Sequence, residues 1–459
     1  MKASGIANGS HRALVISAAA FTGVALGVGS TTKEGLLVAV VTLGVIGFLL
    51  IPTQVRLGAT FSFLVAQNLV LPLILKYGHL SPVIVRDAII AGDSLVVLAV
   101  LLVIGNSLLS GTWHSRPPDR WATLYTLVIL AFLVVPGEPL AAKVAAARTL
   151  LIPPVFYFMG RACSARTVRM IYWLGVGSAV AGLAAYSFEL NFWRIVGIAQ
   201  YWTEVKGVPS FFLASGVPVD FTETYGAHTF VRMASTYGDP LGTAYALAPI
   251  AFIATMSWMR NRGSGWWAAV TVVPLLLTIT KAAIGVYLLG AVVTVLSTRG
   301  EYAPTRLRVF AGLCSLGLVL VFVPFILPIL HGTDGSLNTH VLELGLNMSR
   351  FSWKTLAGTG LGTAGLAAHA FGGSTTVGDS AILDLLYQLG LPGLLAFLGF
   401  CTSTWIAARH RRLKTYWALL PWFLLTGVLA GELFTETSMG MFWLFGGAST
   451  NTGEGGDLL

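Results

Sequence analysis

The chain has 459 residues, of which 55% are hydrophobic and only 10% are charged. Soluble domains carry about 25% charged residues, and a soluble chain of this length needs many polar residues to cover its surface. The composition therefore excludes an ordinary soluble protein and indicates a chain that lies mostly in lipid.

The formal net charge is +9, but the basic residues lie in short clusters between apolar runs, which is how membrane topology is encoded. We therefore expect no nucleic-acid partner. Of the three cysteines, Cys314 and Cys401 lie in apolar runs and Cys163 lies in a basic loop. This placement does not suggest a disulfide framework.

About fourteen apolar runs follow one another, and the longer ones reach the roughly 20 residues that a spanning helix needs. They are residues 13–29, 35–51, 57–75, 83–104, 122–136, 149–160, 171–188, 241–259, 266–280, 282–297, 309–330, 380–407, 416–431 and 434–447. A membrane barrel would show alternating segments of about ten residues instead. Because several runs are short, the sequence predicts an all-α polytopic membrane protein with about 12–14 transmembrane helices.

Two long loops divide these runs into three groups. The predicted organisation is N-terminal transmembrane helices in 1–188, a loop at 189–240, central transmembrane helices in 241–330, a second loop with an amphipathic helix at 331–379, C-terminal transmembrane helices in 380–447, and a tail at 448–459. Loops longer than about 15 residues are usually functional, so these two loops are expected to carry the site.

The distribution of lysine and arginine sets the expected orientation. Basic clusters such as Arg161, Arg166 and Arg169 fall in alternate loops, whereas the two long loops are poor in net positive charge. This bias predicts cytoplasmic N- and C-termini and places both long loops on the extracytoplasmic side.

The first candidate residue, Arg232, lies where the first long loop re-enters the membrane. Arginine at such an interface often only extends to a lipid headgroup, but here a Tyr-Gly-Asp-Pro turn fixes it against a helix start. The second candidate, Lys281, interrupts an apolar run. A lysine there must reach water, a headgroup or an anion, because burial in hydrocarbon costs about 3 kcal/mol.

The third stretch places Arg350 and Lys354 on one face of a predicted amphipathic helix, followed by three glycines at 358–362. It fits either a solvated basic face at the membrane surface or an anion-binding nest. The fourth candidate is Asp379, which precedes a helix and could equally be its N-cap.

Together these stretches place cations and one carboxylate on the same side of the membrane, which suggests an anionic, lipid-linked substrate such as a pyrophosphate. The carboxylate could take a proton from a hydroxyl. Asp239, Glu343 and His340 are further candidates for the base or for contacts with the acceptor. The sequence has no P-loop and no metal-spaced histidine or cysteine cluster, so no metal or other cofactor is expected.

These motifs resemble those of the O-antigen ligase and Wzy-type polysaccharide polymerase family, over about residues 228–400. The matching motifs are Arg-x-x-Ser-x-x-x-Asp-Pro from Arg232, Thr-Ile-Thr-Lys ending at Lys281, Arg-x-x-Trp from Arg350 with Gly-x-Gly-x-Gly after it, and Asp-Ser-x-x-Leu from Asp379. The resemblance implies a C-type membrane glycosyltransferase at the outer face of the bacterial plasma membrane. Its donor would be a glycan on undecaprenyl pyrophosphate.

The resemblance also implies roles and partners. Arg232 and Arg350 match family arginines that hold the pyrophosphate, and Lys281 and Lys354 would assist them. Asp379 would accept the proton of the acceptor hydroxyl in an inverting displacement. Expected partners are the lipid-linked glycan, the bilayer and other polysaccharide assembly proteins, such as a flippase or a chain-length regulator.

Two departures from the family pattern matter. Lys281 stands where the family usually has Ser-Arg followed by Gly, which keeps the charge but loses the planar fork of arginine. Asp379-Ser380 replaces the His-Asn of the ligases, which favours a polymerase of O-antigen or exopolysaccharide repeat units. An O-antigen ligase remains an alternative.

Further alternatives are a peptidoglycan-type polymerase of the shape-and-division class, a non-catalytic scaffold within a polysaccharide assembly complex, and a lipid-linked sugar transporter or flippase. Arg86, Asp87 and Asp93 lie in one segment and could line a path through the membrane. Secondary transporters, however, often carry inverted repeats, and no internal repeat is evident in this sequence.

Overall fold

The structure of the protein is a computed structural model. It describes residues 53–78, 81–86, 114–208, 213–225, 228–260, 263–297, 351–365, 380–409, 414–428 and 431–450, with residues 89, 104, 105, 312, 316, 345 and 349. These residues are mostly helical, which agrees with the fold class that the sequence predicts.

Most helices coincide with the apolar runs. They are α1 (Thr53–Gly78), α2 (Pro117–Leu133), α3 (Leu140–Ala162), α4 (Ala165–Tyr186), α5 (Glu189–Val196), α6 (Pro240–Met259), α7 (Gly265–Leu277), α8 (Lys281–Ser297), α9 (Trp353–Ala357), α10 (Ala381–Arg409), α11 (Lys414–Thr426) and α12 (Glu436–Ser449). Side-chain caps start several of them, including Ser164 at α4 and Ser264 at α7, because such oxygens satisfy amides that lack a helical partner.

Among the described residues, four helices are long and apolar enough to cross a membrane: Leu140–Ala162, Ala165–Tyr186, Pro240–Met259 and Ala381–Ala408. Shorter apolar helices lie at Leu64–Gly78, Gly265–Leu277 and Lys281–Thr294. The protein is therefore a mainly helical membrane protein. The count of about 12–14 spans includes runs outside the described residues and stays a prediction.

The helices approach one another closely where glycine removes the side chain. A Cβ at Gly160 of α3 would overlap the carbonyl oxygen of Leu444 in α12, and one at Gly447 would overlap the carbonyl oxygen of Tyr157. Small residues at such contacts let helix backbones pack closely in lipid, where no hydrophobic force drives helices together. α3 and α12 therefore form one closely packed pair.

A buried ion pair ties α2 to α3. Arg161 Nε and Nη2 donate to the two carboxylate oxygens of Asp119 at 3.0 Å each. Tyr157 Oη donates to Asp119 Oδ1 at 2.7 Å, and the backbone N–H of Arg116 donates to Oδ2 at 3.0 Å. The carboxylate is thus fully used by neighbours, as a buried charge requires.

This ion pair and the backbone beside Arg232 lie at opposite ends of α4. Arg161 lies just before α4 begins, whereas Tyr186, its last residue, donates to the carbonyl oxygen of Val231 beside Arg232. α4 has 22 residues, so at 1.5 Å per residue it is about 33 Å long, which is close to the thickness of the hydrocarbon core.

The predicted loop 189–240 is itself a folded layer over that end of the helices. After α5 it contains a turn at Ile198–Gln200 that continues as a π-helical segment, Tyr201–Val205. Two antiparallel hairpins follow, β1 (Leu213–Ala214) with β2 (Val217–Pro218) and β3 (Thr222–Tyr225) with β4 (His228–Val231). The apolar runs predict helices and no strands, so these hairpins add to the predicted architecture.

Candidate functional site

The β3–β4 hairpin places Arg232 near the end of α4, beside its last residue, Tyr186. Glu223 pairs with Phe230 across the hairpin, and Arg232 follows β4 directly. The Arg232 N–H donates to the carbonyl oxygen of Phe221 at 2.9 Å, and the Met233 N–H donates to that of Leu277 at 2.9 Å. The backbone at Arg232 and Met233 is therefore hydrogen-bonded on one side to the base of the hairpin and on the other to the end of α7.

The guanidinium of Arg232 is buried, with 7% of the residue exposed. Its Nε donates to the carbonyl oxygen of Thr278 at 2.9 Å, and its Nη2 donates to Thr280 Oγ1 at 2.7 Å. A buried charge needs such partners, because desolvation without them is expensive. Two hydrogen bonds in a fixed fork hold the guanidinium in a single orientation.

The turn between α7 and α8 presents both of these acceptors. Ile279, the residue between Thr278 and Thr280, has φ of 53°. A β-branched residue in this conformation costs about 1–2 kcal/mol, and such strain is common at functional sites. The turn also places Lys281 at the first position of α8, where the helix dipole favours a nearby anion.

A carboxylate that the sequence analysis missed lies between the two cations. Glu223 Oε2 is 3.7 Å from Arg232 Nη1, and Glu223 Oε1 is 3.5 Å from Lys281 Nζ. Sequence spacing gave no hint of this contact, because residues 223, 232 and 281 meet only when the hairpin folds. The alternation of Thr-Glu-Thr-Tyr with His-Thr-Phe-Val was the one available signal.

The Arg232 Nη1 group keeps its donors open. Within the part of the chain that the structure describes, it donates no hydrogen bond, since 3.7 Å to Glu223 exceeds hydrogen-bond length. A rigid guanidinium with open donors, beside a half-buried lysine at a helix start, is suited to binding an oxyanion. The structure thus brings together Arg232 and Lys281, two of the predicted site residues.

A buried hydroxyl network fixes the turn that follows Arg232. Ser178 Oγ of α4 lies 2.7 Å from both Ser235 Oγ and Thr236 Oγ1, and the Ser235 N–H donates to Thr243 Oγ1 at 2.9 Å. Burial raises the pKa of the nearby Tyr237 hydroxyl well above its ordinary value, so this hydroxyl stays protonated and is no base at neutral pH.

Asp239 caps α6. Its Oδ1 accepts from the Leu241 N–H at 3.1 Å and its Oδ2 accepts from the Gly242 N–H at 2.7 Å. None of its hydrogen bonds reaches Arg232 or Lys281, so the structure gives Asp239 the role of a helix cap.

Lys354 lies on the short helix α9 and is exposed. No contact within the described residues joins it to Arg232 or Lys281. The remaining predicted site residues, Asp379, Arg350, Glu343 and His340, lie outside the described residues, so their roles stay predictions.

The glycines after α9 pack against α10. The N–H groups of Gly360 and Gly362 donate to the backbone oxygen and the Oε1 of Gln388, at 3.1 and 2.9 Å. A Cβ at Gly358 would lie 2.8 Å from the backbone of Leu389, next to the α10 kink at Gly390. These amides already donate to Gln388, so they are not available to an anion. The glycines instead allow α9 to pack closely against α10.

Two of the aromatic side chains in the first loop, Trp193 and Tyr201, are buried in the small core of that layer together with Phe221. They are the interior of the layer that supports the hairpin. They are therefore not a surface on which a sugar ring could stack.

Comparison with known proteins adds no relative: no protein-family model matches the sequence, and no curated protein matches it either.

Proposed function

We propose that the protein is a membrane glycosyltransferase that takes its glycan from a polyprenyl-pyrophosphate-linked donor and polymerises polysaccharide repeat units. The observation that carries the proposal is the Arg232–Lys281 pair. The Arg232 guanidinium is buried and oriented by Thr278 and Thr280, and within the described residues its Nη1 donates no hydrogen bond, although it lies near the start of α8. The motif resemblance to the O-antigen ligase and polymerase family supports the same chemistry.

The pair suits a leaving pyrophosphate better than a neutral substrate. As the bond from the sugar to the phosphate breaks, negative charge grows on the phosphate oxygen. Preorganised cations in a site with little water stabilise that charge, and this is usually the largest single catalytic effect. Because Arg232 is already held in place, it needs no reorganisation when the charge develops.

The remaining chemistry is assigned to Arg350 and Asp379, which lie outside the described ranges, and to Lys354 on α9. We propose that Arg350 adds a second arginine at the pyrophosphate and that Asp379 accepts the proton of the acceptor hydroxyl. Lys354 would assist from the membrane surface. Asp379-Ser380, in place of a His-Asn pair, favours a polymerase over an O-antigen ligase.

The proposed setting is the bacterial plasma membrane, with both termini cytoplasmic and the Arg232 end facing outward. α4 separates this end from the Asp119–Arg161 ion pair by about 33 Å, so the site would meet donors at one membrane surface only. Undecaprenyl-pyrophosphate-linked glycan would be the donor. A flippase and a chain-length regulator are the expected protein partners.

The test is glycan transfer by the purified protein in proteoliposomes that contain lipid-pyrophosphate-linked repeat units. We expect the wild-type protein to extend the glycan without nucleotide or metal, and Arg232→Ala to lose at least 100-fold in rate. Lys206→Ala is the matched control, because it removes a cation from the same loop layer at an exposed position. Equal losses in both variants would refute the proposal.

The product separates the alternatives. A ladder of glycan lengths indicates a polymerase, whereas a single transfer to a lipid acceptor indicates a ligase. A donor that crosses the bilayer chemically unchanged indicates a transporter, and the enzyme proposal then fails.

A further inference from the structure

Glu223 holds a specific position between the two cations. Its two carboxylate oxygens face different partners, Oε2 toward Arg232 Nη1 at 3.7 Å and Oε1 toward Lys281 Nζ at 3.5 Å. Direct charge-assisted hydrogen bonds are about 2.7–2.9 Å long. The carboxylate therefore partly neutralises both cations, at separations longer than that of a direct charge-assisted hydrogen bond.

The segment that carries Glu223 is anchored at Phe221 and exposed at Thr224. Phe221, two residues before Glu223, is fully buried, and its carbonyl oxygen accepts from the Arg232 N–H. Thr224 is exposed, as are Thr229 and Phe230 on the opposing strand. The Glu223 side chain, 23% exposed, can thus turn away from the cations without disturbing the anchor.

The surroundings create a selection problem. A cation pair at a membrane surface faces anionic phospholipid headgroups, which carry one negative charge on a phosphodiester and outnumber any lipid-linked donor. A lipid-pyrophosphate-sugar carries two negative charges. Without a competing group, the abundant phospholipid would occupy the pair.

We propose that Glu223 is a specificity-determining carboxylate that reserves the Arg232–Lys281 pair for ligands with two or more negative charges. This inference rests on the proposed function. A singly charged headgroup would replace one negative charge by another, and it would have to displace a carboxylate that is tethered next to the cations. A pyrophosphate carries one more negative charge than such a headgroup, so its stronger attraction to the two cations offsets the cost of displacing the Glu223 carboxylate.

Selectivity also requires an interaction that disfavours the wrong ligand, and the negative charge of Glu223 provides one by repelling other anions. Glu223 therefore weakens the binding of every anion and weakens the binding of singly charged anions most. This role differs from that of a base, which would act on the acceptor and leave the choice of lipid unchanged.

The test is equilibrium binding to the full-length protein in nanodiscs, with farnesyl pyrophosphate as the probe that carries at least two negative charges and phosphatidylglycerol as the singly charged competitor. The wild-type protein should bind farnesyl pyrophosphate in the presence of a large excess of phosphatidylglycerol. Glu223→Gln keeps the shape of the side chain and removes its charge. We expect it to bind both lipids more tightly and to lose at least tenfold in selectivity for the pyrophosphate.

A conservative variant distinguishes a charge effect from a structural one. Glu223→Asp keeps the carboxylate and should retain most of the wild-type selectivity, whereas a purely structural role for Glu223 would make both variants behave alike. Selectivity within twofold of wild type in Glu223→Gln overturns the inference. So does a Glu223→Gln variant that binds both lipids as wild type does and loses only glycan transfer, because this is the behaviour of a base.

Arg232→Ala separates this inference from the proposed function. If farnesyl pyrophosphate binds Arg232→Ala as tightly as it binds wild type, the proposed anion site itself is wrong. If Arg232→Ala loses binding while Glu223→Gln keeps wild-type selectivity, only the role of Glu223 is wrong.

Discussion

Removal of one hydroxyl at the Arg232 site should slow glycan transfer without changing any charge. Thr280→Val replaces the hydroxyl that accepts from Arg232 Nη2 by a methyl group of similar size. The second bond, from Arg232 Nε to the Thr278 carbonyl oxygen, stays. The guanidinium then keeps one of its two restraints and can rotate away from the position that suits a leaving pyrophosphate.

The expected magnitude follows from this single contact. A hydrogen bond from a charged donor contributes about 1.5–3 kcal/mol when it is buried, and the Arg232–Thr280 bond is buried and 2.7 Å long. Each 1.4 kcal/mol corresponds to a factor of about ten in rate. We therefore expect Thr280→Val to lower the transfer rate by roughly 10- to 100-fold.

The assay is transfer from a lipid-pyrophosphate-linked donor in proteoliposomes, analysed as a double-mutant cycle with Arg232→Lys. Lysine keeps the charge but cannot form the fork, so most of the effect of Thr280→Val should disappear on that background. Thr271→Val in α7 is the matched control, since its hydroxyl bonds only to its own helix. Additive losses, or a loss no greater than that of Thr271→Val, would refute the positioning of Arg232 by Thr280.

Three further predictions concern the scaffold. Arg161→Ala leaves Asp119 buried without its charge partner, so we expect a loss of about 3–5 kcal/mol in stability, seen as a lower unfolding temperature in detergent. Gly390→Ala should also destabilise the protein, because Gly390 has φ of 64° and a Cβ there would lie 2.5 Å from the backbone of Ala357 and Gly358. Gly177→Ala, with open space around it, should not. Burial raises the pKa of the Cys163 thiol to about 12, so in the folded protein this cysteine should resist maleimide at pH 7.4 and react only after denaturation.

Each of these predictions has a specific control. Arg166→Ala removes an exposed arginine on the same side and should leave the unfolding temperature unchanged; equal effects would mean that the Asp119–Arg161 pair does not stabilise the fold. Equal unfolding temperatures for Gly390→Ala and Gly177→Ala would contradict the close packing at the α10 kink. Cys163 is tested with the other two cysteines replaced by alanine, and rapid labelling of the folded protein would show that its burial is wrong.

Hydropathy predicted the positions of the helices well, because long apolar runs have few alternatives in lipid. The run 149–160, however, covers only the second half of α3, which begins at Leu140. Lys143 and Arg148 lower the hydropathy of the first half. In the folded protein Lys143 is buried and donates to the carbonyl oxygen of Val135, so a tertiary contact allows a charge that a hydropathy window rejects.

The site was predictable in part. Charge in an apolar context selected Arg232 and Lys281, and the structure places both beside Glu223. Glu223 was missed because its strand is short and polar, and because its partners are distant in sequence. The glycines at 358–362 were predicted as a possible anion-binding nest, but the amides of Gly360 and Gly362 serve the packing against α10, which no local pattern can reveal.

The most direct test of the central claim is the fate of the donor. The purified protein in proteoliposomes is given a defined lipid-pyrophosphate-linked repeat unit, with a chelator present and without nucleotide, and the lipid product is measured by mass spectrometry. We expect free polyprenyl pyrophosphate in a one-to-one ratio with the glycosidic bonds formed, and none with Arg232→Ala. Recovery of the donor intact with the wild-type protein, on either side of the bilayer, would contradict this claim.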